Sequence, residues 1–503
     1  MDISALGRTV AHTANGQANR TELKAEPIRS ISAPPPLSAE KDQTSGEQYD
    51  PVTLLERPAP VQRVTQVEPA SGNSQWDMLL QQALESVPEP AGWGAASQGL
   101  GQLSGHRQFS QRAETQLMPR TETPDKVSDR IISPLGRMNF TATLKNGTEV
   151  TFEVQAEAGH GRVGGASAAF RAIDVSYSAS EELTEEQREE LDAFSRKLGE
   201  FARDFAADGS PDLSRLDLGE LKEIQSLDLR MKVSDERLMA LHYSREPESG
   251  DQALQMKWNE RSLELLIDGS TSTGGSPQGD LSLLRATLME NLENAKASKD
   301  DKQAILQALT LFDLDMEAGS KSLPTGSDAL LTGLPDYHLS FKGRIAYPMP
   351  NTEHRDKFIG IRELTLSQVT TITEQNAQRT INQTQTVHLD AAYFTSLPHL
   401  ENPGYARENF NWHVINESHQ LSSQQTWNGA TLEAATLTRS SLINNLRETW
   451  SEGVLVDERR DKRQSHREDD VTALMQTATE MTTADTPEGT AAKAQLQRLL
   501  SPM

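Results

Sequence analysis

Between Asn139 and Ala156 the chain alternates polar and apolar residues on either side of Asn146-Gly147, and that pattern commits it to antiparallel β-structure. Asn-Gly is the strongest short signal for a two-residue hairpin, because its left-handed turn matches the twist of the strands it joins. A side-chain period of two gives such strands one face for a core and one for water. Asn428-Gly429 repeats the signal. Alternating segments at Phe170–Tyr177, Leu227–Val233, Leu238–Tyr243 and Leu254–Ile267 read as further strands. A later set comprises Tyr337–Tyr347, Ile359–Thr373, Thr380–Phe394, Phe410–Leu421 and Thr431–Leu437. Its middle pair is long and rich in Thr, Gln and Asn, which predicts strands projecting beyond a core or a wide sheet with one wet face.

Helical signals interrupt this pattern. Thr184 with Gln187 forms a capping box, glutamates fill the first turns, and Leu191, Phe194, Leu198, Phe201 and Phe205 make one buried stripe that Gly209 ends. After a Gly/Ser/Thr linker from 269 to 279, Leu281, Leu284, Leu288 and Leu292, then Ile305, Leu306, Leu309 and Phe312, mark a helical hairpin. Leu442, Ile443, Leu446 and Trp450 predict a closing helix. Asp457–Asp470, with five basic and six acidic residues, reads as solvated linker or frayed helix. Residues 138–233 resemble a family of uncharacterised bacterial proteins. The motifs are Tyr177-Ser178 at a strand end, Leu183-Thr184-Glu185-Glu186-Gln187 opening the helix, Phe201-Ala202-Arg203-Asp204-Phe205 closing it, then Asp208-Gly209 and Leu227-Asp228-Leu229. The chain has Phe205-Ala206 where that family carries an aromatic pair. The resemblance covers about a fifth of the chain and implies no activity.

Composition limits how much of the 503 residues can fold. Hydrophobic residues are only 35%, below the usual share for globular chains. Residues 1–134 hold 13 of the 24 prolines and four aromatics, so they are expected to form a disordered arm. One helix breaks it: Ser74 caps a stripe of Trp76, Leu79, Leu80, Ala83, Leu84 and Val87, stopped by Pro88 and Pro90. So short a helix needs another surface, either a partner protein's or that of the folded body itself.

A formal charge of -24 argues against phosphate-backbone binding and against anionic membranes. Without cysteine, thiolate metal sites, disulfides and thiol nucleophiles are excluded. The N-terminus lacks the apolar core of a signal peptide and no stretch suits a membrane span, so a cytoplasmic protein is expected, export by a signal-independent route being the alternative. Gly159-His160-Gly161-Arg162-Val163-Gly164 spells a dinucleotide fingerprint, but its strand belongs to a hairpin and no crossover helix follows, which leaves a glycine-rich loop. Asp313, Asp315 and Glu317 open like a calcium loop yet meet Ala318 and Pro324 where Gly and Glu are required; Asp208, Ser210 and Asp212 fail likewise. His413, Glu417 and His419 share one strand face, but six residues of strand separate the imidazoles by ~20 Å, too far for one ion without His388 or His399. Neither a nucleophile elbow, a zinc-protease motif nor a phosphate loop occurs.

The expected architecture is therefore α+β: an arm at 1–134, an α+β unit at 135–268, a linker and helical hairpin at 269–333, a β-rich unit at 334–456, and a charged linker with helical tail at 457–503. No cofactor, metal or catalytic residue is assigned. The leading expectation is a non-enzymatic interaction or scaffold protein, docking a protein partner through Trp76, Leu79, Leu80, Ala83, Leu84 and Val87. A small-ligand or lipid carrier built on the 334–456 sheet is the alternative, and a hydrolase with an unrecognised site the third.

Overall fold

The period of two extends much further than those segments. A computed structural model describes residues 61–68, 74–87, 89–119, 128–163, 166–269, 281–313, 326–344, 361–376, 378–397, 409–480 and 487–500. Its first half comprises β1 (Val61–Glu68), α1 (Ser74–Ser86), α2 (Pro90–Leu103), β2 (Gln108–Pro119), β3 (Ser128–Leu144), β4 (Glu149–Val163), β5 (Ala166–Ala179) and α3 (Glu185–Asp208). There follow β6 (Ile224–Ser234), β7 (Arg237–Arg245), β8 (Gln252–Trp258), β9 (Arg261–Asp268), α4 (Leu281–Asn294) and α5 (Lys299–Ala308). The second half adds β10 (Asp336–Arg344), β11 (Ile361–Gln375), β12 (Gln378–Ser396), β13 (Phe410–Asn428), β14 (Thr431–Ser451), β15 (Val454–Asp470), α6 (Thr472–Glu480) and α7 (Pro487–Leu499).

All fifteen described strands join one antiparallel sheet, in the order β1-β2-β5-β4-β3-β6 and then sequentially to β15. Register makes its two faces unequal. One cross-strand row runs Tyr177, Phe152, Phe140, Leu229, Leu241, Met256, Leu263, Phe341, Leu364 and Leu389, all buried, and then meets Glu417, Ile443 and Arg463. The apolar stretch is where helices lie. Core residues of α1–α5, among them Trp76, Trp93, Phe194, Leu288 and Ile305, form one cluster with it. A second cluster packs Met475 and Leu496 of α6 and α7 on Ile381, Trp427 and Leu437. The opposite face alternates outward, as the burial of β6 and β8 shows. Near one end of β12–β14, however, it carries an aromatic group in which Phe410 stacks on Trp450 at 6.0 Å and Phe394 meets Trp412 at 4.5 Å. The wide sheet with one wet face is thus the arrangement adopted.

Several expectations differ from this structure. Strands predominate, so the fold is mostly β rather than a balanced α+β. The two β-rich units are continuous, because β9 pairs with β10 from Asp268↔Asp336 to Arg261↔Gly343. In the expected arm, β1, α1, α2 and β2 are ordered parts of the sheet and its helical layer; residues 1–60 lie outside the described ones. Their low apolar content suffices because α2 buries through Ala and Gly, which cost little side-chain entropy. Leu442–Trp450 is strand, flanked on both sides by β13 and β15, a tertiary pairing that overrides the helical spacing. Asp457–Asp470 is strand as well. The capping box of α3 forms as read, and Gly209 closes that helix at φ 76°. Among the described residues no helix is long and apolar enough to cross a membrane.

Candidate functional site

The stripe of α1 faces inward. Trp76, Leu80, Ala83, Leu84 and Val87 are at most 3% exposed, and Leu79 packs partly buried against the same cluster. Trp76 Nε1 donates to Gln111 Oε1 on β2, and its ring meets Phe109 edge-on at 5.8 Å. On the other side lies α2, so close that a Cβ on Gly99 would sit 2.1 Å from the indole. Arg171 of β5 donates to the carbonyls of Glu85 and Val87 at 3.4 Å, satisfying acceptors that a helix C-terminus leaves open. The surface that a partner's groove would need is taken up by the protein's own sheet.

Beyond the end of α1 the strands continue uncovered among the described residues. Two cross-strand rows emerge there: Arg63, Leu117, Ala169 and His160, then Thr65, Thr115, Arg171 and Ala158. All of these but Thr65, together with Leu84 and Glu85, line an open cavity of about 390 Å³. Leu117 is 43% exposed in it. The floor is aliphatic and the rim carries two guanidiniums and an imidazole, a combination suited to an acyl chain with an anionic head. His160 comes from the glycine-rich stretch, which is strand up to Val163 rather than loop. Gly159 is required there by close approach, since a Cβ would lie 2.2 Å from the Ile131 carbonyl.

Beneath this shelf, on the opposite face, Arg112 pairs with Asp174, Glu157 and Glu114, and Arg130 clasps Glu114 through both nitrogens at 2.6 and 2.8 Å. Two cations thus face three carboxylates. Burial, with the neighbouring Glu157 and Glu114, holds Asp174 above its ordinary value despite Arg112. Burial works the same way on Glu114, but hydrogen bonds from Arg130 and Gln116 outweigh it and bring that carboxyl below the usual range. The network ties β2, β3, β4 and β5 together.

The histidines of the second half do not converge. His413 Nε2 lies 2.8 Å from Thr395 Oγ1 and its ring stacks on Tyr393 at 4.9 Å. Burial, then Arg447 and Lys296, pushes its pKa down. His419 faces Glu417 at 3.9 Å, whereas His388 bonds Asp390 from the other face of the sheet. His399 lies outside the described residues, as do Asp315, Glu317, Ala318 and Pro324 of the calcium-like stretch. Among the described residues no three His, Asp or Glu side chains are grouped as metal ligands.

Among the described elements the β14–β15 ribbon presents a long exposed surface. Strand β15 is 17 residues long and exposed or half-exposed throughout. Along one face Asp457, Arg459, Asp461 and Arg463 alternate in sign and pair with their second neighbours, Arg459 to Asp457 at 3.0 Å and Arg463 to Asp461. Arg467 and Asp469 do likewise at 2.9 Å. That alternation of sign every second residue is the signal that the count of charges overlooked. Val454, Leu455 and Val456 begin the strand at 62, 40 and 59% exposure. Compared with known proteins, the chain matches no family model, no curated protein and no solved structure.

Proposed function

We propose that the chain is a non-enzymatic interaction protein that engages its partner along the β14–β15 ribbon. The exposure of β15 carries this reading: a long edge strand, open on both faces, begins with three exposed aliphatics and continues as an ordered charge ladder. An edge strand offers unpaired backbone groups as a template for another strand. The expected docking through α1 loses its support because that stripe is already covered. A photo-reactive residue in place of Lys462, introduced in the native host, should give a discrete cross-linked species that the same group at Lys257, on the wet face of β8, does not. Equal or absent cross-linking at both positions would remove the reading.

The shelf at the end of α1 favours a second reading, a carrier of amphipathic anions. It replaces the cavity expected between the long strands, since β11 and β12 lie in the open sheet with Leu364, Leu366 and Leu389 buried in the main core. Calorimetric titration with a medium-chain fatty acid should show binding that Leu117→Asp abolishes. Binding unaffected by that change would place the ligand elsewhere.

A further inference from the structure

We infer that the partner of β15 is β15 of a second copy, paired antiparallel about a two-fold axis at Arg460. The inference rests on the reading of the ribbon as a docking element. Among the described strands β15 has a single neighbour in the sheet, β14, so alternate backbone N–H and C=O groups along it point outward. Charged edges usually prevent such pairing, because like charges meet when a strand faces itself. Here the order of charges does the reverse. In the register centred on Arg460, Asp457 lies opposite Arg463 of the second copy, Glu458 opposite Lys462, and Arg459 opposite Asp461. Symmetry repeats each pair, and paired residues project from the same face. Only the central Arg460 meets its like, and each is already held by Glu458 at 2.6 Å. The same register sets Val454, Leu455 and Val456 opposite His466, Ser465 and Gln464, drawing the exposed aliphatics into a paired strand. A register centred on Gln464 also makes three opposite-charge pairs, Arg459 with Asp469, Arg460 with Glu468 and Asp461 with Arg467, but it opposes Glu458 to Asp470 and leaves those aliphatics in water. The axis therefore belongs at Arg460.

Absence of native cysteine makes the register directly measurable. The full chain is run in sedimentation velocity over a concentration series at low and high salt, beside single-cysteine variants under mild oxidation. The expected result is a dimer that dissociates at high salt. Arg460→Cys should cross-link to a covalent dimer, because directly opposed Cβ atoms approach disulfide distance. Gln464→Cys should dimerise without forming a covalent cross-link, because its partner position is Val456. Asp457→Lys with Glu458→Lys should raise the dissociation constant about ten-fold. Adding Lys462→Glu and Arg463→Asp restores every pair in this register and should return the constant to within about two-fold of the original. Circular dichroism of each variant separates lost pairing from lost folding. A monomer at every concentration, cross-linking at Gln464 instead of Arg460, or failure of the quadruple variant to recover would overturn the inference. A monomeric chain that still cross-links another protein at Lys462 in cells would overturn it too, while leaving the docking ribbon in place.

Discussion

At the scale of single residues, the informative positions are those where one side chain fills a space that several elements share. Trp76 bonds β2, contacts Phe109 and occupies the room left by Gly99 on α2. Trp76→Ala should cost roughly 3–5 kcal/mol of stability in urea denaturation, as aromatic truncations in cores do. Gly99→Ala should cost about 1–3 kcal/mol by overpacking the same space. His242 offers a different test. Its Nδ1 lies 3.0 Å from Asp228 on the wet face, and that hydrogen bond raises the imidazole above its ordinary 6.5. Protonated His242 is therefore favoured in the folded state, so its stabilisation is complete below pH 6.5 and fades as pH rises through the raised value. The melting temperature of the wild type should exceed that of His242→Gln by more at pH ~5.5 than at pH ~8.5. A gap independent of pH would show that the pair is fully screened by solvent. The Trp76 stripe was legible as a helix; that it would face inward was not, since periodicity marks an apolar face without naming what covers it.

Elements show a similar division. Helix α3 could be read from end to end, because its cap, its dipole charges and its terminating glycine are local in sequence. The position of α5 depends on distant residues. Asp301, third in its capping box with Ser298, is 1% exposed and accepts from Arg261 Nε at 2.6 Å and from Arg362. These guanidiniums come from β9 and β11, so one carboxylate fastens the helix to two strands. Asp301→Ala should destabilise by roughly 3–5 kcal/mol, because it strands two cations beside a buried helix end. Replacing Arg362 by Met in that background should recover part of the loss in the same urea titration. Strand β15 illustrates why composition misleads: charge density alone suggests a solvated linker, whereas alternation of sign with period two is compatible with a ladder on one strand face.

Across the whole molecule, one sheet connects regions that composition had separated. Its buried row passes from β5 to β12 without a break and turns polar at Glu417, where the first helical layer ends. Because β2 pairs with β5 from Gln108↔Ser178 to Leu117↔Ala169, and β1 with β2, the described residues 61–68, 74–87 and 89–119 belong to the folded body. After limited tryptic digestion they should remain bound to the rest of the chain in native mass spectrometry. Their release as a separate peptide would return them to the status of an arm. The position of a segment's prolines and aromatics did not reveal this, since burial of α2 rests on small residues packed tightly against α3.

Local chemistry by itself determined much of the inventory: the Asn146-Gly147 and Asn428-Gly429 turns, the strands next to them, the capped helix α3 and the helical hairpin. These depend on dihedral preference, capping and periodicity, all settled within a few residues. Tertiary structure alone decided that the strands share one sheet, that α1 turns its stripe inward, that Leu442–Asp470 is a β-ribbon, and that an aliphatic shelf stays open beyond α1. Each of those outcomes depends on which distant segment supplies the pairing edge or the covering face. Neither leaves a mark in local sequence, because a strand's hydrogen bonds come from backbone, which is the same in every residue except proline.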